Sequence, residues 1–438
     1  MDKIEENIMK RAMVVTVGTG TGENRKKIMD GLAEAIVTSI CNHRPDKVKF
    51  MVSQKSLDET IPLIIPKLSN MECEYILLDD FNNLHYAYKK GFQTIQQLLS
   101  EGFSQEEIII DYTSGTKAMS SGIVLAAISL EVGKISYISG KREKGIVAKG
   151  TEEYKTIKPI EILLQKKVEL IIQLFNNYKY GSCISILKEM EDKISHTPVL
   201  DVLNELLTLS KAYELWDRFD HDRASEILLP GKFLLMDISH NKKFLGSLKY
   251  AKKHNTNSKP TENKELYLIA DLLNNSQRRH EEGKYDDAIA RLYRIFELLA
   301  QWEIKKMGIC GEEDLRQKRY IIDISKLNDV QLTYFNEKSV IENKKIRIGL
   351  KETYDFLAFM DLPIGINFQK DKNLQNLLSH RNNSILAHGL IPIEEKTYIQ
   401  LYSKCKEYLL EYSEKDIFET QKLAKFPTFD YIPSLYIE

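Results

Sequence analysis

An excess of positive charge is missing from this sequence: 62 Lys and Arg stand against 63 Asp and Glu, for a formal net charge of −1. No global basic field draws in a polyanion, so any contact with nucleic acid has to be local. Cysteine is also scarce. Cys41, Cys73, Cys183, Cys310 and Cys405 are widely scattered and form no metal-ligand pairs. They read as reduced thiols in a cytoplasmic protein. No apolar run approaches a membrane span, and the charged start MDKIEENIMKRAM lacks the apolar centre of a signal peptide. The expectation is a cytoplasmic protein with no membrane partner. Complete nucleotide-binding glycine motifs are absent too. Gly18-Thr19-Gly20-Thr21-Gly22 is followed by Glu23, where a dinucleotide fingerprint needs its third glycine. No acidic residue closes the second strand candidate, which ends Val52-Ser53-Gln54, so an NAD reading fails.

What is present is an ordinary globular composition, 43% hydrophobic and 29% charged, in 438 residues. That length holds two or three domains with ample core. The first part alternates strand and helix. Strand candidates are 12–17, Val48–Val52, Tyr75–Leu78, Ile108–Ile110 and Ile135–Ile138, with helices around 56–69, 84–100 and 116–131. Such alternation predicts a parallel sheet with helices on both faces, and 140–148 reads as a hairpin with a charged tip. Ligands on these sheets lie beyond the carboxyl ends of the strands. Two loops are candidates: Gly18-Thr19-Gly20 after the first strand, and Asp111-Tyr112-Thr113-Ser114-Gly115-Thr116-Lys117 entering a helix. Glycines let backbone N–H groups approach a phosphate, and hydroxyls with a lysine suit a phosphate- or ribose-rich ligand. The bland reading of the second loop is an N-capping turn with a surface lysine.

From about Ile160 the pattern is helical. Leu170–Phe175 leads through Tyr180-Gly181-Ser182-Cys183 into Ile184–Met190, and a related cadence recurs at 278–289. Both read as helical hairpins rather than a repeat array. Trp216 and the leucine-rich 227–248 are candidate core, and 252–261, polar and proline-stopped, is the best linker. Long helices are expected at Leu266–Asn274, Tyr285–Trp302 and Glu394–Glu411, with a charged loop excursion over 305–345 and a packed tail over Phe426–Tyr436.

The stretch from Asn373 to Gly389 matters most. At about 100° per residue, Leu374, Leu377, Leu378 and Ile385 form one apolar stripe of a helix, with Arg381 and His388 in its middle, roughly 10 Å apart along the axis. Such groups on a buried face are costly unless paired or used. Histidine moves protons near neutral pH, and arginine holds a phosphate with its developing charge. With RNA as substrate, its own 2′-hydroxyl can be the nucleophile and no metal is required. The bland reading is a satisfied buried Arg and core His.

Residues 12–150, with the Gly/Thr loop and the later Asp-x-Thr-Ser-Gly-Thr-Lys, resemble the CARF domain (CRISPR-associated Rossmann fold), with Ser114 in place of a glycine. Arg381-Asn382, six further positions counted to His388 from Asn382, together with the stretch 283–294, resemble the HEPN nuclease domain over 263–412. The order resembles the CARF–HEPN ancillary ribonucleases of type III CRISPR systems. The resemblance implies an α/β Rossmann-like domain at 1–158, a helical connector at 159–262 and an all-α HEPN domain at 263–438. It implies a homodimeric, metal-independent endoribonuclease of antiviral defence that cuts single-stranded RNA and is activated by a cyclic tetra- or hexa-adenylate, with no other cofactor. Gly18, Thr19, Gly20, Thr113, Ser114, Gly115, Thr116 and Lys117 would line the activator site. Arg381, His388 and Asn382 would be catalytic. The rival from another class is a non-catalytic cyclic-nucleotide sensor on the same dimer, since fold alone does not deliver function.

Overall fold

The computed structural model describes the chain except residues 1–9, 21–24, 69–70, 144–145, 148–149, 192–193, 195–196, 255–262, 310–320, 338–340, 343–344, 388, 414–415, 434 and 436–438. It divides into two compact units, one of residues 1–169, 193–195 and 434–438, the other of 170–192 and 196–433.

The first unit runs β1 (Ala12–Val17), α1 (Arg25–His43), β2 (Lys47–Val52), α2 (Gln54–Glu59), α3 (Ile61–Ile64), β3 (Glu72–Leu77), α4 (Leu84–Ser100), β4 (Ile108–Asp111), α5 (Lys117–Ser129), β5 (Lys134–Ser139), β6 (Arg142–Glu143), β7 (Ile146–Val147), β8 (Glu153–Ile157) and the start of α6 (Pro159–Asn176). Its sheet has the order β3-β2-β1-β4-β5-β8. The first five strands are parallel, as their alternation with helices predicts. β1 is an all-apolar and threonine strand buried on both faces, the composition a central parallel strand needs. Successive side chains alternate: Val14 packs into one core with Ile95 and Ile123, while Met13 and Val15 pack into the other with Ile36 and Ile40.

Three local features depart from the sequence reading. The helix expected over 56–69 is broken into α2, α3 and a 3-10 turn at Ile65–Lys67, because Pro62 and Pro66 each remove a backbone donor. Ser53 starts it with a reciprocal capping box to Ser56. The sheet is not wholly parallel, since β8 pairs antiparallel with β5. Its residues Glu-Tyr-Lys-Thr-Ile are mostly exposed, so this edge strand carries little hydrophobic alternation to read. The expected hairpin is β6–β7 (Arg142 opposite Val147), and its tip at 144–145 lies outside the described residues.

The β2–β3 edge carries an ion cluster. Lys49 is fully buried and lies 3.0 Å from Glu74 and 2.9 Å from Glu101, while Lys47 lies 2.6 Å and 3.0 Å from the same two residues. Hydrogen bonds from Lys47 and Lys49 hold the Glu74 carboxyl below the usual range. Burial pushes the Glu101 carboxyl up, but hydrogen bonds from both lysines more than offset it. A depressed carboxyl contributes stability above its unfolded pKa, and this is lost as pH falls through the folded value. Acid unfolding monitored by circular dichroism should therefore separate wild type from Glu101→Gln above about pH 4.5 and bring the two together below it. Curves offset equally at every pH would contradict the linkage.

The second unit continues with α7 (Tyr180–Glu191), α8 (Thr197–Asp217), α9 (His221–Leu228), α10 (Ser239–His254), α11 (Lys264–Glu281), α12 (Tyr285–Lys306), β9 (Ile321–Asp323), α13 (Asp329–Glu337), β10 (Ile341–Glu342), β11 (Lys345–Arg347), α14 (Leu350–Phe359), α15 (Pro363–Lys370), α16 (Lys372–Asn382), α17 (Glu395–Tyr412) and α18 (Ile417–Leu423). Both expected hairpins form, α6–α7 and α11–α12. Trp216 is fully buried, stacked between Tyr213 and Phe244. The expected linker begins within α10, and 255–262 lies outside the described residues. The expected loop excursion at 305–345 instead holds α13 and an antiparallel β10-β11-β9 sheet. Ile322, Phe335 and Ile346 anchor it in the bundle core, and their wide spacing among charged residues hides that role from periodicity. The tail is only partly packed: Phe426 and Phe429 are buried, Tyr431 and Ile432 exposed.

Candidate functional site

Two sites follow from this architecture. In the first unit the strand order reverses between β1 and β4, so the loops after these strands flank the switch point. They touch. A Cβ on Gly18 would lie 2.9 Å from the Gly115 nitrogen, and Gly115 has φ +107° with Thr16 against its vacant side. Both positions need glycine for close backbone approach. The Thr16 hydroxyl donates to the Ser114 carbonyl, and the Gly18 N–H donates to Ser114 Oγ at 2.9 Å.

The sequence-predicted residues therefore come together, but several hydroxyls are already engaged. Thr113 Oγ1 accepts from Ile138 N–H at 3.0 Å, and Thr116 caps α5 by accepting from Met119 N–H at 3.2 Å while donating to the Phe81 carbonyl at 2.7 Å. Ser114 is buried, whereas Lys117 is exposed on the first turn of α5. Thr19 and Gly20 are half-buried, and Gly20 is left-handed at φ +68°. Two supports are invisible in the motif. Thr60 donates to the Gly18 carbonyl at 2.9 Å. Asp111 is buried, accepting from Thr113 N–H at 2.8 Å and Ser39 Oγ at 2.5 Å; burial nevertheless raises its pKa.

The second site is at the end of α16. Asp371 caps the helix by accepting from Leu374 N–H at 2.9 Å. Leu374, Leu377 and Leu378 are buried among α12 and α17, as the stripe predicts. The helix does not continue to 389, however; it ends at Asn382. Asn382, Asn383 and Ser384 are residues whose side chains compete with helical hydrogen bonds. Ile385, expected on the apolar stripe, is 69% exposed in the following turn. A shared helical face for Arg381 and His388 is thus not the arrangement, and His388 itself lies outside the described residues.

A compact turn replaces the missing helix. Buried Ser384 donates from Oγ to the Arg381 carbonyl at 2.9 Å, and its own carbonyl accepts from Ala387 at 3.0 Å and Gly389 at 3.2 Å. Ile391 N–H donates to the Asn383 carbonyl at 3.1 Å. Gly389 packs so closely that a Cβ there would lie 2.0 Å from the Asn383 oxygen. Gly389→Ala should open this turn at a cost of about 1–3 kcal/mol, read as a lower unfolding midpoint in urea. An unchanged midpoint would contradict the close packing.

Arg381 lies with its guanidinium 4.9 Å over the Tyr293 ring. Its Nη1 reaches Asn382 Oδ1 only at 3.5 Å, and its buried Nε has no hydrogen-bond partner among the described residues. Burial raises the Tyr293 hydroxyl pKa, Glu297 adds to this and Arg381 opposes it, so the ring is a neutral platform. Tyr293 was within the quoted 283–294 stretch, yet nothing in the sequence pairs it with Arg381. Around the turn Ile385, Leu386, Leu390 and Ile391 are exposed at 69%, 45%, 87% and 66%.

An α/β CARF domain followed by an all-α portion ending in a HEPN domain is the class these units define. A family model described as the Csm6 6H domain matches residues 163–257, and one described as the Csm6 HEPN domain matches 257–411; together they span more than half of the chain. The chain belongs to the Csm6 family. Enterococcus italicus Csm6 bound to cyclic hexa-2′-fluoro-hexa-dAMP is similar in fold across 95% of this chain and 98% of its own, at 14% identity and TM-score 0.55. Can2 from Sulfobacillus thermosulfidooxidans, in complex with cyclic tetra-adenylate, covers 48% of this chain and 68% of its own at 10% identity, with a TM-score of 0.23 that carries no argument. No curated protein matches the chain. No described helix is long and apolar enough to cross a membrane.

Proposed function

We propose that this chain is a cyclic-oligoadenylate-activated endoribonuclease of CRISPR antiviral defence that cuts single-stranded RNA without a metal. The observation that carries the reading is Arg381, held on Tyr293 with a buried Nε unbonded among the described residues, at a turn rimmed by exposed apolar side chains. An unpaired guanidinium suits a phosphate, and the apolar rim suits a second copy of the chain. Two such turns meeting across a two-fold axis would make one composite site.

In that site the substrate 2′-oxygen attacks the adjacent phosphorus and the bond to the 5′-oxygen breaks, leaving a 2′,3′-cyclic phosphate and a 5′-hydroxyl. His388 is the acid/base partner in this proton movement, Arg381 neutralises the scissile phosphate and Asn382 orients substrate by hydrogen bonding. The activator would bind at the β1–β4 switch point, facing Gly18, Thr19 and Gly20 on one side and Thr113 to Lys117 on the other. The engaged hydroxyls of Thr113 and Thr116 make these two shapers of the loop. Lys117 and the free N–H groups of the first α5 turn are left for phosphate contacts. Activation needs the ring to bind the active arrangement better than the idle one, with the helices of 159–262 as transmitters.

The test is purified protein with a fluorescent single-stranded RNA in EDTA, with and without cyclic tetra- or hexa-adenylate. Cleavage with one ring only is the expected result. Ring binding without cleavage would instead support the non-catalytic sensor, and cleavage only after metal is restored would refute the Arg–His mechanism.

A further inference from the structure

A cavity of about 260 Å³ lies within the second unit, away from the Arg381 turn in sequence, and the proposed chemistry makes no use of it. One wall is a single face of α11, where Asn274, Gln277, Arg278 and Glu281 recur at helical spacing. The facing wall is the end of α18 with the segment after it, contributing Lys422, Lys425 and Phe426. The walls are tied together, since Asn274 donates to the Gln421 carbonyl at 2.8 Å and Asn241 donates to the Lys425 carbonyl at 2.9 Å.

Arg278 is what makes this more than a gap between helices. Its side chain is 4% exposed, and its Nε donates to Asp217 Oδ1 at 2.8 Å. Its carbon Cζ lies 3.7 Å over the Phe426 ring, which fixes the guanidinium plane. Nη1 and Nη2 form no hydrogen bond among the described residues, the nearest carboxylate to Nη2 being Asp271 at 3.8 Å. Burying two guanidinium nitrogens unbonded is costly, so a bonding partner in the cavity would be strongly favoured. Among the lining residues three cations, Arg278, Lys422 and Lys425, face one carboxylate. That carboxylate, Glu281, is engaged by the Tyr178 hydroxyl at 2.5 Å. Lys422 is held only by an ion pair to Glu419 in which both side chains are 71% exposed, which exchanges readily.

We infer that this cavity is a binding site for a phosphate monoester, with the two Nη atoms of Arg278 gripping the phosphate and Lys422 and Lys425 closing over it. The fork of a guanidinium matches phosphate oxygens in pairs. The volume falls just below the range of about 300–1,000 Å³ typical of pockets for drug-sized ligands, which suits a free phosphate or a mononucleotide and excludes a cyclic oligonucleotide. Asp217, which holds Arg278 Nε, also accepts from Arg279 at 2.6 Å and Asn275 at 3.2 Å. The ligand would therefore reinforce the junction between α8 and α11.

Isothermal titration of the full chain with inorganic phosphate, adenosine 5′-monophosphate and adenosine, at constant ionic strength, tests this without any RNA-cleavage readout. The phosphate-bearing compounds are expected to bind saturably and adenosine not at all. Tighter binding of the nucleotide would assign the ligand as a nucleotide phosphate, and equal or weaker binding would assign it as free phosphate. The exposed double variant Lys422→Ala/Lys425→Ala should weaken binding by about tenfold or more, from the loss of charge-assisted hydrogen bonds, with an unchanged melting temperature. Arg278→Lys should weaken it comparably; the lysine pair decides the matter if that variant is unstable. Absence of saturable binding in wild type, or unchanged affinity in the lysine variant, would overturn the inference.

Discussion

Replacing His388 by Ala should lower activator-dependent RNA cleavage by about 10²–10⁴-fold, the usual contribution of a positioned acid/base group. Arg381→Ala should lower it by about 10²–10³-fold through loss of charge stabilisation at the phosphate. His380 is the internal control. It is exposed on the last turn of the same helix, adjacent to Arg381, so His380→Ala tests whether any histidine near the phosphate suffices. The expected outcome is loss of cleavage in the first two variants and near-wild-type rates in the third. Cyclic oligoadenylate binding, measured separately by titration, should be unchanged in all three because the loops at Gly18 and Ser114 belong to the other unit. Equal losses at His380 and His388 would sink the assignment of the proton carrier. Unaltered cleavage in Arg381→Ala would remove the phosphate role altogether.

Asp271→Ala should be the most destabilising single change in the second unit, by about 3–5 kcal/mol. The carboxylate is fully buried on α11. Its Oδ2 accepts from Trp216 Nε1 at 3.0 Å and lies 2.7 Å from His221 Nε2, while Arg278 approaches Oδ1 at 3.8 Å. Removing it strands an indole N–H, an imidazole nitrogen and part of a guanidinium in the core at once. Trp216 and His221 lie in the residues matched by the 6H model and Asp271 in those matched by the HEPN model, so this contact joins the two. Urea unfolding followed by tryptophan fluorescence should show one transition shifted to lower urea. A shift below 1 kcal/mol would mean that relaxation or water replaces the carboxylate.

The elements most legible in the sequence were those whose signal is local. Ala-Met-Val-Val-Thr-Val could be little other than a buried central strand, and the helix over 84–100 begins after Asn83, whose side chain accepts from Tyr86 N–H at 3.1 Å. The Gly/Thr and Thr-Ser-Gly-Thr-Lys loops announced themselves by composition, and strand alternation was enough to bring them to one sheet edge. The apolar stripe of Leu374, Leu377 and Leu378 likewise follows from periodicity alone.

Periodicity also misled, by carrying that helix on to Gly389. The termination at Asn382 depends on Ser384 and Gly389 folding back on Arg381 and Asn383, a set of hydrogen bonds that no stripe encodes. Edge strand β8, nearly all exposed, had no apolar pattern to betray it. Tyr293 beneath Arg381, Thr60 beneath Gly18, and Asp217 and Asp271 around Arg278 are pairings between residues distant in the chain. Sequence by itself determined the fold class and which loops and residue types carry chemistry, because strand and helix periods and glycine–hydroxyl loops are written in neighbouring residues. Tertiary structure alone decided which of those groups remain unbonded, because a donor is satisfied or left available only when distant segments pack against it.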